Sequence, residues 1–161
     1  MNLNQIIVSY FIENGLTLSV SESLTGGLLS DSIVQISGAS KMFKGGVTTY
    51  TLEAKEKLLD IPLIDTVLTD GVDHKTSVLM AKNVCNLFDT DFSISTTGVA
   101  EAYSDKKECA YITVYSKAKD VYRTRFFDFS EIEDLSRERV RKLTVMNSLN
   151  FLSDIIYLSE H

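Results

Sequence analysis

The sequence predicts an α/β three-layer α/β/α sandwich built around a mixed, mostly parallel five-stranded sheet. Three observations carry this prediction. Segments with helical apolar spacing alternate with short β-rich segments through residues 3–96. Two further β-rich runs then flank Lys117-Ala118-Lys119-Asp120, as the arms of a hairpin flank its turn. Residues 134–158 read as a long closing helix. Crossover helices imply parallel strands, and the hairpin adds antiparallel ones. No repeat or linker interrupts the 161 residues, so one domain spanning 1–161 is expected.

The elements follow in order. Residues 3–13 read as a helix closed by Gly15. Residues 16–21 alternate as a strand, Thr25-Gly26-Gly27 breaks it, and 28–36 carry apolar residues at helical spacing (Leu28, Leu29, Ile33, Ile36). A loop at 37–40 leads to a second strand at 47–50 and a short charged helix at 52–59, stopped by Pro62. Residues 63–73 read as loop, 76–88 as helix, 92–96 as a third strand and 98–108 as a polar loop. The hairpin strands are expected at 110–115 and 121–129. Residues 1–40 contain no Lys, Arg or His, and the first helix is apolar on more than one face. Either the chain itself buries that helix or a second subunit covers it. The second reading is favoured, because a terminal helix is seldom covered all round.

Composition narrows the function classes. With 16 Lys+Arg against 22 Asp+Glu the net charge is −6, which argues against general nucleic-acid binding. At 44% hydrophobic residues and one Pro, collagen-like and low-complexity classes fall away. The first basic residue is Lys41, so a positively charged signal-peptide start is missing, and no apolar run reaches membrane-spanning length. A cytoplasmic location without membrane contact is expected. Cys85 and Cys109 lack metal-ligand spacing and read as free thiols, although Lys106 and Lys107 could lower the pKa of Cys109. The histidines are His74 and His161, so no metal site is expected. His74 could titrate near neutrality, yet a lone histidine is usually surface. Chemistry then falls to hydroxyls, Lys, Arg and carboxylates.

Four constellations could carry it. Ser21-Glu22-Ser23-Leu24-Thr25-Gly26-Gly27 joins a strand to a helix. Thr25 would cap that helix, the amides near Thr25, Gly26 and Gly27 could hold an anion or oxyanion, and Ser23 would stand beside them as a nucleophile. The same pattern also fits a plain turn whose hydroxyls only cap. Tyr50 closes a strand and Lys55 follows about one helical turn later; a lysine of lowered pKa could take the serine proton, with the tyrosine as relay, or both could be surface residues. Thr97-Gly98 closes the third strand, where open α/β sheets bind ligands. Arg137 and Arg141 share a helix face, and their repulsion would be relieved by an anionic ligand or by the acidic residues nearby, Glu131, Glu133, Asp134 and Glu138.

Taken together, these segments, with Gly45-Gly46-Val47-Thr48-Thr49-Tyr50, Glu53-Ala54-Lys55, Thr97-Gly98-Val99-Ala100 and Thr144-Val145, resemble the CinA C-terminal domain family, the competence/damage-inducible-protein-like nicotinamide mononucleotide amidohydrolases. The resemblance covers nearly the whole chain and is similar to the stand-alone form. It implies a small-molecule nucleotide substrate, deamidation of nicotinamide mononucleotide to nicotinic acid mononucleotide and ammonia, no cofactor, and a homo-oligomer, dimer or higher. By position it implies Ser23 as nucleophile, Lys55 as general base, Tyr50 as a catalytic tyrosine, and Thr97 and Arg137 as substrate-binding residues. One segment departs from the family pattern. After Gly98 the family carries a Gly/Pro-rich loop, whereas residues 99–110 here contain neither glycine nor proline and place Glu101, Tyr103 and Asp105 instead. That bulk and negative charge would repel a phosphate. The alternative is therefore a catalytically degenerate member that binds a nucleotide or a protein.

Overall fold

The computed structural model describes residues 1–158, with the side chain of residue 158 left aside. The helices are α1 (Leu3–Glu13), α2 (Leu28–Val34), α3 (Leu52–Leu59), α4 (Leu63–Thr66), α5 (His74–Phe88) and α6 (Arg137–Leu158). The strands are β1 (Leu18–Glu22), β2 (Phe43–Thr48), β3 (Phe92–Val99), β4 (Cys109–Ser116) and β5 (Val121–Asp128). They form one sheet in the order β2-β1-β3-β4-β5. β1 is parallel to both β2 and β3, while β4 is antiparallel to β3 and to β5. Four strands thus share one direction and β4 opposes them, the mixed α/β sandwich that the alternation predicts.

Side-chain alternation sets the layers. Leu18, Val20, Ile94, Ile112 and Val114 face α1, α2 and α6 in one continuous apolar core. Their strand neighbours Ser19, Ser93, Ser95 and Thr113 face the other way and are fully buried. On that side α5 packs with α3 through Leu59, Met80 and Val84. Within α1, Ile7, Val8 and Phe11 are buried in the main core, and Leu3, Tyr10 and Ile12 pack partly against it. The chain's own core thus buries one face of α1 and leaves Leu3, Ile6, Tyr10 and Ile12 partly covered.

Local chemistry fixes the ends. Asn2 and Gln5 form a capping box on α1, and Gly15 takes φ 64 just past its end. Thr51 caps α3 and Asp73 caps α5 through side-chain oxygens. Several boundaries differ from the sequence expectation. β2 begins at Phe43 because Gly45-Gly46, a breaker by composition, pairs in register with Ser19 and Val20 of β1. α3 ends at Asp60 in the left-handed region, before Pro62, which instead opens α4 with φ −58. β3 continues three residues further, to Val99, because β4 pairs with it to that point.

Candidate active site

The carboxyl ends of β1 and β2 are tied at one level. The Ser23 N–H donates to the Thr96 carbonyl at 2.9 Å, and the Thr49 N–H donates to the Glu22 carbonyl at 2.8 Å. α3 then starts at once, which carries Lys55 back over both ends. Lys55 is 1% exposed. Its Nζ donates to Ser23 Oγ at 3.1 Å and to the Thr49 carbonyl at 2.6 Å. Burial pushes its pKa down to about 8, with the negative charge of Asp70 pulling the other way. A lysine in this state has a substantial neutral fraction, and in that form the same contact lets the serine hydroxyl donate to nitrogen.

Ser23 opens into a cleft of about 450 Å³ whose walls include Tyr50, Leu52, Val72, Gly98 and Arg137. Three carboxylate residues, Glu53, Asp70 and Glu101, line it as well. At the rim, Arg137 Nη2 donates to the Tyr50 hydroxyl at 2.6 Å, and its Nη1 lies 3.9 Å from a Glu101 oxygen. The loop after β3 therefore does face the cleft. Its Tyr103 donates to Asp70 at 2.8 Å, and Lys106 donates to the Thr69 carbonyl at 3.2 Å, joining that loop to the segment before α5. Gly98 sits where β3 and β4 run close: a Cβ there would fall 2.1 Å from the Cys109 carbonyl oxygen.

The sequence-predicted residues divide into two groups. Ser23, Lys55, Tyr50, Gly98 and Arg137 converge on the cleft. Tyr50 does so as an exposed rim residue; its hydroxyl is bonded to Arg137, so the structure places it on the guanidinium and not as a relay to Lys55. Thr25, Gly26, Gly27, Thr97 and Arg141 are not among the residues lining the cleft, and the side chains of Thr25, Thr97 and Arg141 are bonded within the chain. Thr25 does not cap α2: its buried hydroxyl pairs with Thr96 Oγ1 at 2.8 Å, and the N-cap is Gly27 at φ 100. Gly26 and Gly27 both take positive φ to make the turn. The amides at the start of α2 are taken by an internal anion, since Leu29 N–H and Ser30 N–H donate to the two oxygens of Glu22 at 2.8 and 3.0 Å. Thr97 is buried and donates to the Gly71 carbonyl at 2.6 Å. Arg141 clamps the turn, donating to the Leu24 and Thr25 carbonyls at 2.9 Å each. The thiol of Cys109 is pushed up by burial, opposite to the expectation from its lysine neighbours. His74 opens α5 and meets the ring of Tyr122 edge-on at 6.1 Å, away from the cleft lining.

Sequence reasoning missed Glu22, Thr49 and Asp70. The signal for Glu22 was a carboxylate just ahead of a helix start, where the helix dipole favours it. Asp70 precedes Gly71 in a turn with both at positive φ, an Asp-Gly signature that marks a bend but not what the bend faces. Among the described residues no His/Cys/Asp/Glu group could hold a metal, and no helix is long and apolar enough to cross a membrane.

Comparison with known proteins agrees with this architecture. The family model of the CinA C-terminal domain matches residues 1–156. A putative competence-damage inducible protein of Thermoanaerobacter pseudethanolicus is 34% identical over 153 residues, which are 93% of this chain and 36% of that protein. A CinA-like protein of Trichodesmium erythraeum is 32% identical over 162 residues, 99% of this chain and 38% of that one. The chain thus spans little more than a third of the length of these curated relatives. The competence/damage inducible protein CihA of Agrobacterium tumefaciens superposes with a TM-score of 0.86 at 26% identity, covering 94% of this chain and 92% of its own. A CinA superfamily protein of Escherichia coli gives a TM-score of 0.87 at 24% identity, covering 96% and 88%. With the match running through every element that builds the cleft, the chain belongs to the CinA C-terminal domain family.

Proposed function

We propose that this chain hydrolyses a primary carboxamide of the pyridine-nucleotide type, with Ser23 as nucleophile and Lys55 as its base. Nicotinamide mononucleotide is the substrate that the family resemblance implies. The observation that carries the reading is a buried lysine with a pKa of about 8 whose Nζ lies 3.1 Å from a serine oxygen at the cleft wall. Neutral Lys55 accepts the Ser23 proton as Oγ adds to the carboxamide carbon. The resulting ammonium sits beside the tetrahedral oxyanion and offsets its charge. It then protonates the departing nitrogen, the C–N bond breaks, and ammonia leaves an ester on Ser23. Water adds to that ester and gives its proton to Lys55. Lys55 returns the proton to Oγ as the acid leaves.

The test is ammonia release from nicotinamide mononucleotide and other primary carboxamides by the purified chain. Turnover is expected, reduced by about 10²–10⁴ in Lys55→Ala and at least as much in Ser23→Ala. Ammonia from none of them, or a Ser23→Ala protein as active as the parent, overturns the reading. The loss of glycine and proline after Gly98 favours one rival, a catalytically degenerate member that binds a nucleotide or a protein. Saturable, Arg137-dependent nucleotide affinity without turnover would establish it.

A further inference from the structure

The charge around the cleft separates two kinds of carboxamide. A phosphate needs donors or cations, and the two arginines nearest the cleft already have partners within the chain. Arg137 holds the Tyr50 hydroxyl and faces Glu101. Arg141 is spent on two backbone carbonyls. The first amides of α2 bind the Glu22 carboxylate. The other charged residues lining the cleft are acidic, namely Glu53, Asp70 and Glu101, and Tyr50 and Tyr103 line it beside them. Carboxylates and tyrosine faces favour a flat cation and repel a phosphate dianion.

We infer that the cleft takes a cationic, phosphate-free carboxamide, of the class of a pyridinium carboxamide nucleoside, in preference to the corresponding nucleotide, and that Glu101 sets this preference. The inference rests on the Ser23–Lys55 hydrolase reading and names its substrate class. Glu101 acts at two points. Its carboxylate offsets the guanidinium that would otherwise meet a phosphate, and its own charge remains at the rim if Arg137 swings away. Its side chain is 70% exposed, so its effect on substrate is one of rim charge and does not require repacking.

The experiment compares ammonia release from nicotinamide riboside and from nicotinamide mononucleotide, in the parent and in Glu101→Gln. The nucleoside is expected to be favoured in kcat/KM by about tenfold or more, Glu101→Gln to narrow that ratio by about threefold, and added salt to shrink it in the parent. A parent that favours the nucleotide overturns the inference while leaving the hydrolase reading intact, and so does a ratio indifferent to Glu101→Gln. Release from neither compound counts against the hydrolase reading instead. Calorimetric binding of the two compounds to Ser23→Ala then decides the preference. Tighter nucleoside supports it; tighter nucleotide, equal affinity or no binding of either overturns it.

Discussion

A lysine that is 1% exposed and, among the described residues, meets no carboxylate within ion-pair distance is held against a cost, because burial disfavours the charged form. Lys55 has the Thr49 carbonyl and Ser23 Oγ as acceptors, and Asp70 supplies a weaker attraction from further off. The folded pKa of about 8 lies below the ordinary 10.5, so between those values the unfolded chain binds more protons than the folded one. Stability contributed by this group therefore rises with pH across that window, and the full cost is present below pH 8. Cysteine and tyrosine residues titrate in the same range, so the cleanest comparison is with Lys55→Met, in which those contributions cancel. The variant is expected to be more stable than the parent near pH 7. Its advantage should fall by about 3 kcal/mol as pH rises to 10.5, measured by urea denaturation at a series of pH values. A stability difference that stays flat with pH would mean that Lys55 is not desolvated as the geometry has it.

At the scale of elements, the first turn of α2 already holds an internal anion at the Leu29 and Ser30 amides. Glu22, 1% exposed, reaches over the turn to the α2 amides and also accepts from Ser30 Oγ at 2.7 Å. Glu22→Gln keeps one acceptor but sets its own N–H₂ against a backbone donor, so a loss of about 1–3 kcal/mol is expected in urea unfolding. An unchanged midpoint would reopen α2 as a ligand site. This element also shows where sequence reading succeeds and where it stops. Alternation and apolar spacing are properties of neighbours in the chain, and they found five of the six described α-helices and the five strands to within a few residues, missing the one-turn α4. The hydroxyl and amine at the site were legible too, because each sits at a strand end or one turn beyond it. What each neighbouring side chain bonds to was not legible, since the partners are remote. Arg141 answers carbonyls more than a hundred positions earlier, and Thr97 answers Gly71. A motif can place a residue at the rim of a site without saying whether it faces the ligand or the scaffold.

The whole molecule is built on a sheet with two unlike faces. Toward α1, α2 and α6 the contact is apolar and non-directional. Toward α5 it is a run of hydroxyls: Ser95 donates to the Ser77 carbonyl at 2.6 Å, Ser77 Oγ meets Thr113 Oγ1 at 2.7 Å, and Thr113 meets Thr124 at 2.8 Å. Ser93 adds a bond to the Ala81 carbonyl at 2.6 Å. Directional bonds fix the position of α5 along the sheet more tightly than apolar contact alone, and α5 carries at its start the segment with Asp70 and Gly71 that closes one side of the cleft. Because Thr113 is bonded on both sides, the run should respond as a unit. Ser77→Ala and Thr113→Val are each expected to cost about 1–2 kcal/mol, since each leaves a buried partner short of a bond. The double variant should cost less than the sum by about 1 kcal/mol, because the second change removes a group that the first has already orphaned. Urea unfolding of the four proteins measures this coupling. Strict additivity would show that the hydroxyls act as separate local bonds, and that the placement of α5, and with it the acidic wall of the cleft, is set by the apolar contacts of Leu59, Met80 and Val84 instead.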